Sequence, residues 1–227
     1  MATARARWGR GQEIRRGARG RRATVGGTSF DRFVSVAAIL AAVAVIVANL
    51  VGVGLHPTTG LFADTISNLA AGRYHWILDA ALVMFGIALV FIATALWAFD
   101  LDGWRWRSGV ACIGLTGIAI LVIALYNEYG DGDTGGITIH LEVVVAMGLL
   151  FTLGTILLSF GLVRMGTFWS GLNVLTGVLW LVIGLAFFFL TPDAWDGLVE
   201  RIAAGMLIVW TFAMARLIGR ERYPDTE

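Results

Sequence analysis

The sequence predicts an all-α polytopic membrane protein, a bundle of six transmembrane helices with a short interfacial or re-entrant helix between the first two. Three observations predict it. The chain of 227 residues is 58% hydrophobic, with a mean hydropathy of +0.78, against about 45–50% apolar for an ordinary soluble domain. Its apolar residues fall in long unbroken runs rather than in amphipathic stripes, which makes lipid the solvent for most of the chain. Its arginines gather on one side of those runs, as the positive-inside rule requires.

Residues 1–32 hold nine of the 17 basic residues and little that could form a core. This stretch reads as a disordered, Arg-rich cytoplasmic tail lying against anionic headgroups. The pairs Arg15–Arg16 and Arg21–Arg22 resemble an export signal, but the apolar run that follows is too long for one. No folded reader stands beside the tail, so nucleic acid is not expected as a partner.

The transmembrane domain is expected over residues 33–220, with a short C-terminal tail over 221–227. Its runs are Phe33–Leu55, Trp76–Phe99, Ser108–Asn127, Ile139–Val163, Phe168–Leu190 and Leu198–Ile218. Each holds about 20 residues or more, enough to cross a hydrocarbon core of about 30 Å at 1.5 Å per residue. None shows the alternating polarity of a barrel strand, so each is a helix. Placing the N-terminus inside puts 15 arginines on the inner side and leaves only Arg73 and Arg201 outside. Both termini are therefore expected in the cytoplasm, with the chain in the plasma (inner) membrane. Trp76, Trp104, Trp106 and Trp169 fall near the expected interfaces, as an aromatic belt would. Heavy use of Arg, Ala, Gly and Val fits a GC-rich bacterial genome.

Composition removes some chemistry. There is no lysine, so no Schiff base can form on this chain. The single Cys112 lies within an apolar run, where a thiol packs rather than reacts. No ionisable residue falls at the middle of a span, and ion- or proton-coupled transporters usually need one there.

The polar residues gather instead at the outer ends of the spans. The densest stretch is Leu61 to Asp79, with Asp64, Thr65, Ser67, Asn68, Arg73, His75 and Asp79. Phe62, Ile66 and Leu69 form a helical apolar stripe there, with Asp64 and Asn68 on another face. Asp64 reads either as the cap of that short helix, with Ser67 completing the turn, or as part of a pocket. His75 and Asp79 stand four apart on one helical face, where a carboxylate can orient an imidazole. Glu128 closes the third span and His140 opens the fourth. Glu200 and Arg201 open the sixth, as an interfacial ion pair or as lining of the same site.

The candidate pocket is therefore Asp64, Ser67, Asn68, His75, Asp79, Glu128, His140, Glu200 and Arg201. Its expected occupant is a lipid headgroup or a small molecule. Within it, His75, His140 and Asp64 offer ligand types suited to zinc. The alternative function is then a metal-dependent hydrolase acting on lipid, with a zinc-bound water as nucleophile and Ser67 positioning substrate. A transporter or permease subunit is the third reading. The loop Asp131-Gly132-Asp133-Thr134-Gly135-Gly136 partly mimics a calcium loop, but Gly135 stands where a ligand is wanted.

Several of these residues together resemble a known family. Asp64-Thr65-Ile66-Ser67-Asn68-Leu69-Ala70 precedes Trp76, which opens a long span. A glycine-rich span follows, then an acidic loop with His140 after it, then Gly197-Leu198-Val199-Glu200-Arg201 at the last span. This order resembles domain of unknown function 998, a family of bacterial and archaeal integral membrane proteins, over about residues 33–220. The D-x-I-S-x-L-A element is its most specific part. Members often carry Phe-Pro before the acidic residue of the loop, where this chain has Tyr126-Asn127-Glu128-Tyr129-Gly130-Asp131. The resemblance implies the fold and the place of the site, and it implies no activity. A looser similarity joins the inventory of Ser, Asp and three His to membrane hydrolases of the alkaline ceramidase and progestin-receptor type. The H-x-x-x-H pair and the seventh span of those proteins are missing here.

Overall fold

The computed structural model describes residues 29–55, 60, 62–71, 73–101, 103–126 and 139–221. Six of its helices are long and apolar enough to cross a membrane. They are α1 (Ser29–Leu55), α3 (His75–Trp97), α4 (Trp104–Leu125), α5 (His140–Leu162), α6 (Thr167–Phe189) and α7 (Asp196–Glu221). The short helix α2 (Ile66–Ala71) lies between α1 and α3, and a 3-10 turn (Asp193–Trp195) leads into α7. The chain is a multi-pass helical membrane protein, as its composition requires.

The spans form a ring in chain order. Each packs on the next, and α7 returns to pack on α1. Lipid supplies no hydrophobic drive between helices, so close backbone approach has to do the work. Gly86 of α3 and Gly117 of α4 meet backbone to backbone: a Cβ on Gly117 would stand 2.6 Å from the Gly86 carbonyl. Gly109 and Gly154 do the same between α4 and α5. The α6–α7 seam is the sparsest in the ring. Its polar tie is Trp210 Nε1, which donates to Asn173 Oδ1 at 3.0 Å, with Phe151 edge-on to Trp210 and Trp180. Thr116, Thr155 and Thr211 satisfy their buried hydroxyls on carbonyls of their own helices.

The helix limits differ from expectation by a few residues. α1 begins at Ser29, so the last four residues of the expected tail are helical, and Asp31 is buried there. α4 begins at Trp104 rather than Ser108. One belt assignment changes. Trp76 and Trp104 are exposed as a belt requires, whereas Trp106 is buried with its ring against Gly161. The indole fills the small-residue gap between α4 and α5 instead of anchoring at the interface.

Burial is uneven between the two ends. At the end that carries α2, the spans α1, α3 and α4 keep buried residues, among them Val45, Ala48, Leu78, Ala81, Ile120 and Ala124. In the same half of the bundle, residues 141–150 of α5, 181–190 of α6 and 198–206 of α7 contain none. Gly184 on α6 and Gly205 on α7 have open space where a side chain would go. The ring is thus open on its α5–α6–α7 side, a cleft defined by the lack of buried residues in the half nearest α2.

Candidate functional site

The start of α2 is held by side chains from α7, far away in sequence. Thr65 caps the helix locally, its Oγ1 accepting from the Asn68 N–H at 3.1 Å. The cap is therefore Thr65 and not Asp64, whose carboxylate turns back to accept from the Gly60 N–H at 2.6 Å. A helix start leaves backbone donors unmet. The Ile66 N–H finds its acceptor in Glu200 Oε2. The other oxygen, Oε1, accepts from Ser67 Oγ at 3.1 Å.

The neighbouring residue holds the approach to α2. Arg201 Nη1 donates to the carbonyls of Asp64 at 2.6 Å and Gly197 at 2.9 Å, and Nε donates to Asn49 Oδ1 of α1 at 3.2 Å. The Leu198 N–H donates to the Phe62 carbonyl at 3.0 Å. Gly197 permits this approach, because a Cβ there would overlap the Asp64 carbonyl. Glu200 and Arg201 are thus not simply paired with each other. One reaches into α2 and the other into the turn before it.

His140 completes the cluster. It is 7% exposed. Its Nε2 lies 3.3 Å from Ser67 Oγ, and its Nδ1 lies 3.4 Å from the Tyr126 carbonyl. That carbonyl caps the end of α4, where helix carbonyls lack partners within the helix. Two spans reach residues Asp64 to Ser67 directly, α5 through His140 and α7 through Glu200 and Arg201, and two more hold those side chains in turn, α1 through Asn49 on Arg201 and α4 through the Tyr126 carbonyl on His140.

The expected pocket divides in two. Asp64, Ser67, His140, Glu200 and Arg201 come together. His75 and Asp79 form their own pair at 2.7 Å on α3, with the histidine half exposed. Asn68 is exposed. Glu128 and His56 lie outside the described residues. The set read as zinc ligands is not brought together: His75 is with Asp79, His140 with Ser67, and Asp64 with Gly60. Among the described residues no three His, Cys, Asp or Glu side chains converge as a metal would require. The reading of the sequence missed Asn49 and Gly197. A lone Asn near the end of an apolar span was the available signal for the first, since buried amides in lipid seek partners. Gly197 carried no signal apart from its place ahead of Glu200-Arg201.

No curated protein and no solved structure matches the chain. A family model described as "Protein of unknown function (DUF998)" matches residues 35–217, which span α1 to α7 and include every side chain of this cluster. The chain belongs to the DUF998 family of membrane proteins.

Proposed function

We propose that this protein binds a membrane lipid, with the acyl chains in the cleft on the α5–α6–α7 side and the headgroup at the Ser67–His140–Glu200 end. The observation that carries the reading is the one-sided loss of burial. Three spans lack buried residues over the half of the bundle that ends at the polar cluster, while the other three keep theirs. A groove at hydrocarbon depth with hydrogen-bonding groups at its mouth matches an amphiphile lying parallel to the helices. The half-exposed His75–Asp79 pair and the exposed Asn68 offer further polar contacts near α2. The arginine distribution supports an outer-face position for this end.

The test is lipid mass spectrometry on protein purified in mild detergent, for wild type, Gly205→Trp and Ser67→Ala. Wild type is expected to retain one lipid class above its share of the membrane. Gly205→Trp is expected to lose it while melting at the wild-type temperature, because a Cβ at that position meets nothing within 4 Å. Retention equal in all three, or a wild-type lipid profile no different from bulk membrane, rejects the reading. Crosslinking across the cleft to a second copy or another helix would reject it too. Zinc measured on the same samples addresses the hydrolase alternative: a stoichiometric ion lost in His140→Ala would favour it.

A further inference from the structure

The Ser67 hydroxyl has one hydrogen to donate and two neighbours that can each take it. Oγ is 3.1 Å from Glu200 Oε1 and 3.3 Å from His140 Nε2. The far nitrogen of the imidazole, Nδ1, faces the Tyr126 carbonyl at 3.4 Å. A carbonyl only accepts, so Nδ1 carries a hydrogen. Two arrangements then satisfy every contact in the row. In the first, Nε2 is protonated as well and donates to Oγ, and the hydroxyl donates to an ionised Glu200. In the second, the hydroxyl donates to a bare Nε2, and a protonated Glu200 donates to Oγ. The two arrangements contain the same number of hydrogens, one more than a neutral imidazole beside a carboxylate. They interchange when two hydrogens move along the row through Oγ, with no heavy atom displaced.

Any other proton count breaks the row. With one fewer, a contact is lost in either tautomer: with the hydrogen on Nδ1 the single hydroxyl hydrogen faces two acceptors, and with it on Nε2 the bare Nδ1 faces the Tyr126 carbonyl. With one more, Oγ faces two donors and its own hydrogen has no acceptor in the row. His140 is buried, and an unmet buried polar group is costly.

We propose that Glu200, Ser67 and His140 form a proton-binding site, one proton held between a carboxylate and an imidazole across a hydroxyl, whose occupancy sets how firmly α2 is held to α7. The mechanical link is Glu200 itself, because its second oxygen accepts from the Ile66 N–H of α2. The surrounding charges come from the elements packed on α2. They are Arg201 and Asp196 on α7 with Asp193 in the turn before it, Asp64 ahead of α2, Arg73 and the His75–Asp79 pair at the start of α3, and Glu142 on α5 beyond His140; the end of α1 nearest α2 contributes only the neutral Asn49. Arg201 keeps its charge throughout, so its field on the row is constant.

The inference does not rest on lipid binding, and its test reads neither lipid nor activity. The full chain is placed in nanodiscs of one defined lipid, with 15N-labelled histidine and 13C-labelled glutamate. In wild type, the His140 ring nitrogens and the Glu200 carboxyl carbon are expected to change over one shared pH interval. Glu200→Gln is expected to move the His140 response out of that interval, and Ser67→Ala to make His140 respond independently of residue 200. Amide exchange in α2, corrected for its intrinsic rate, should be roughly tenfold slower while the row holds one proton than on either side, the worth of one buried hydrogen bond. Ser67→Ala should flatten that profile. Separate pH intervals for the two groups in wild type overturn the proposal, and this measurement needs no variant to fold. So does a His140 curve that is the same in wild type, Ser67→Ala and Glu200→Gln.

Discussion

Arg201 makes one guanidinium serve three segments: the turn before α2, the start of α7 and the last turns of α1. The planar fork matters as much as the charge, since Nε and Nη1 point to acceptors on different elements. Arg201→Lys keeps the charge but presents one point of contact. We expect a loss of about 1.5–3 kcal/mol, the worth of one charge-assisted hydrogen bond, read as a lower midpoint in thermal or denaturant unfolding in detergent. Arg201→Ala should cost more, because three acceptors lose their donor at once. At this scale the sequence disclosed what is close along the chain. His75 and Asp79 were legible because a four-residue spacing on a helix is itself a contact. Ser67 and Glu200 stand 133 residues apart. Both were candidates because polar groups at membrane depth are costly, but no periodicity could pair them. Asp64 stayed open between cap and pocket because Thr65 next to it can also cap, and Thr65 takes that role.

Among the elements, α2 has the least support of its own. At six residues it is far below the length at which a helix persists in isolation. Its stability is borrowed from Thr65, Glu200 and the close approach at Gly197. Thr65→Ala should therefore cost about 1 kcal/mol, visible as faster amide exchange confined to α2. Gly197→Ala should cost more, about 1–3 kcal/mol for forcing a methyl into a filled space, because the neighbour is backbone and cannot rotate aside. Both effects should centre on the α2 end and leave the Asn173–Trp210 contact intact, which indole fluorescence can follow. The spans themselves were legible almost to the residue, since length and apolarity in lipid leave only a helix. Their ends were less so. Trp106 was assigned to the interface from its place in sequence, and it lies inside because Gly161 leaves room for its ring. A glycine on another helix is not a signal that a local reading can use.

For the whole molecule, the contrast is between a tight side and an open one. Gly117→Leu pushes against the Gly86 backbone and should destabilise by about 1–3 kcal/mol. A Cβ at Gly205 meets nothing within 4 Å, so Gly205→Leu should leave the melting temperature unchanged or slightly raised, since glycine within a helix costs up to about 1 kcal/mol relative to a better helix former. Equal losses in the two would mean that the α5–α6–α7 side is as well packed as the other. The bundle and its span count followed from composition, but the cleft did not. The glycines there, Gly184 and Gly205, are the same residue type that seals the α3–α4 contact at Gly86 and Gly117. Small side chains permit two helices to touch or to stand apart, and the sequence of one helix does not say which. The seam between α6 and α7 has a further consequence. It is tied near the arginine-rich end by Trp210 on Asn173 and left loose at the other. Two stiff rods joined in that way behave like the arms of a clothes-peg: a small tilt about the knot becomes a wide swing at the tips. Phe189 and Leu190, tethered to α7 by the short link through the Asp193–Trp195 turn, would travel as far as that link allows while the indole at the knot barely turned.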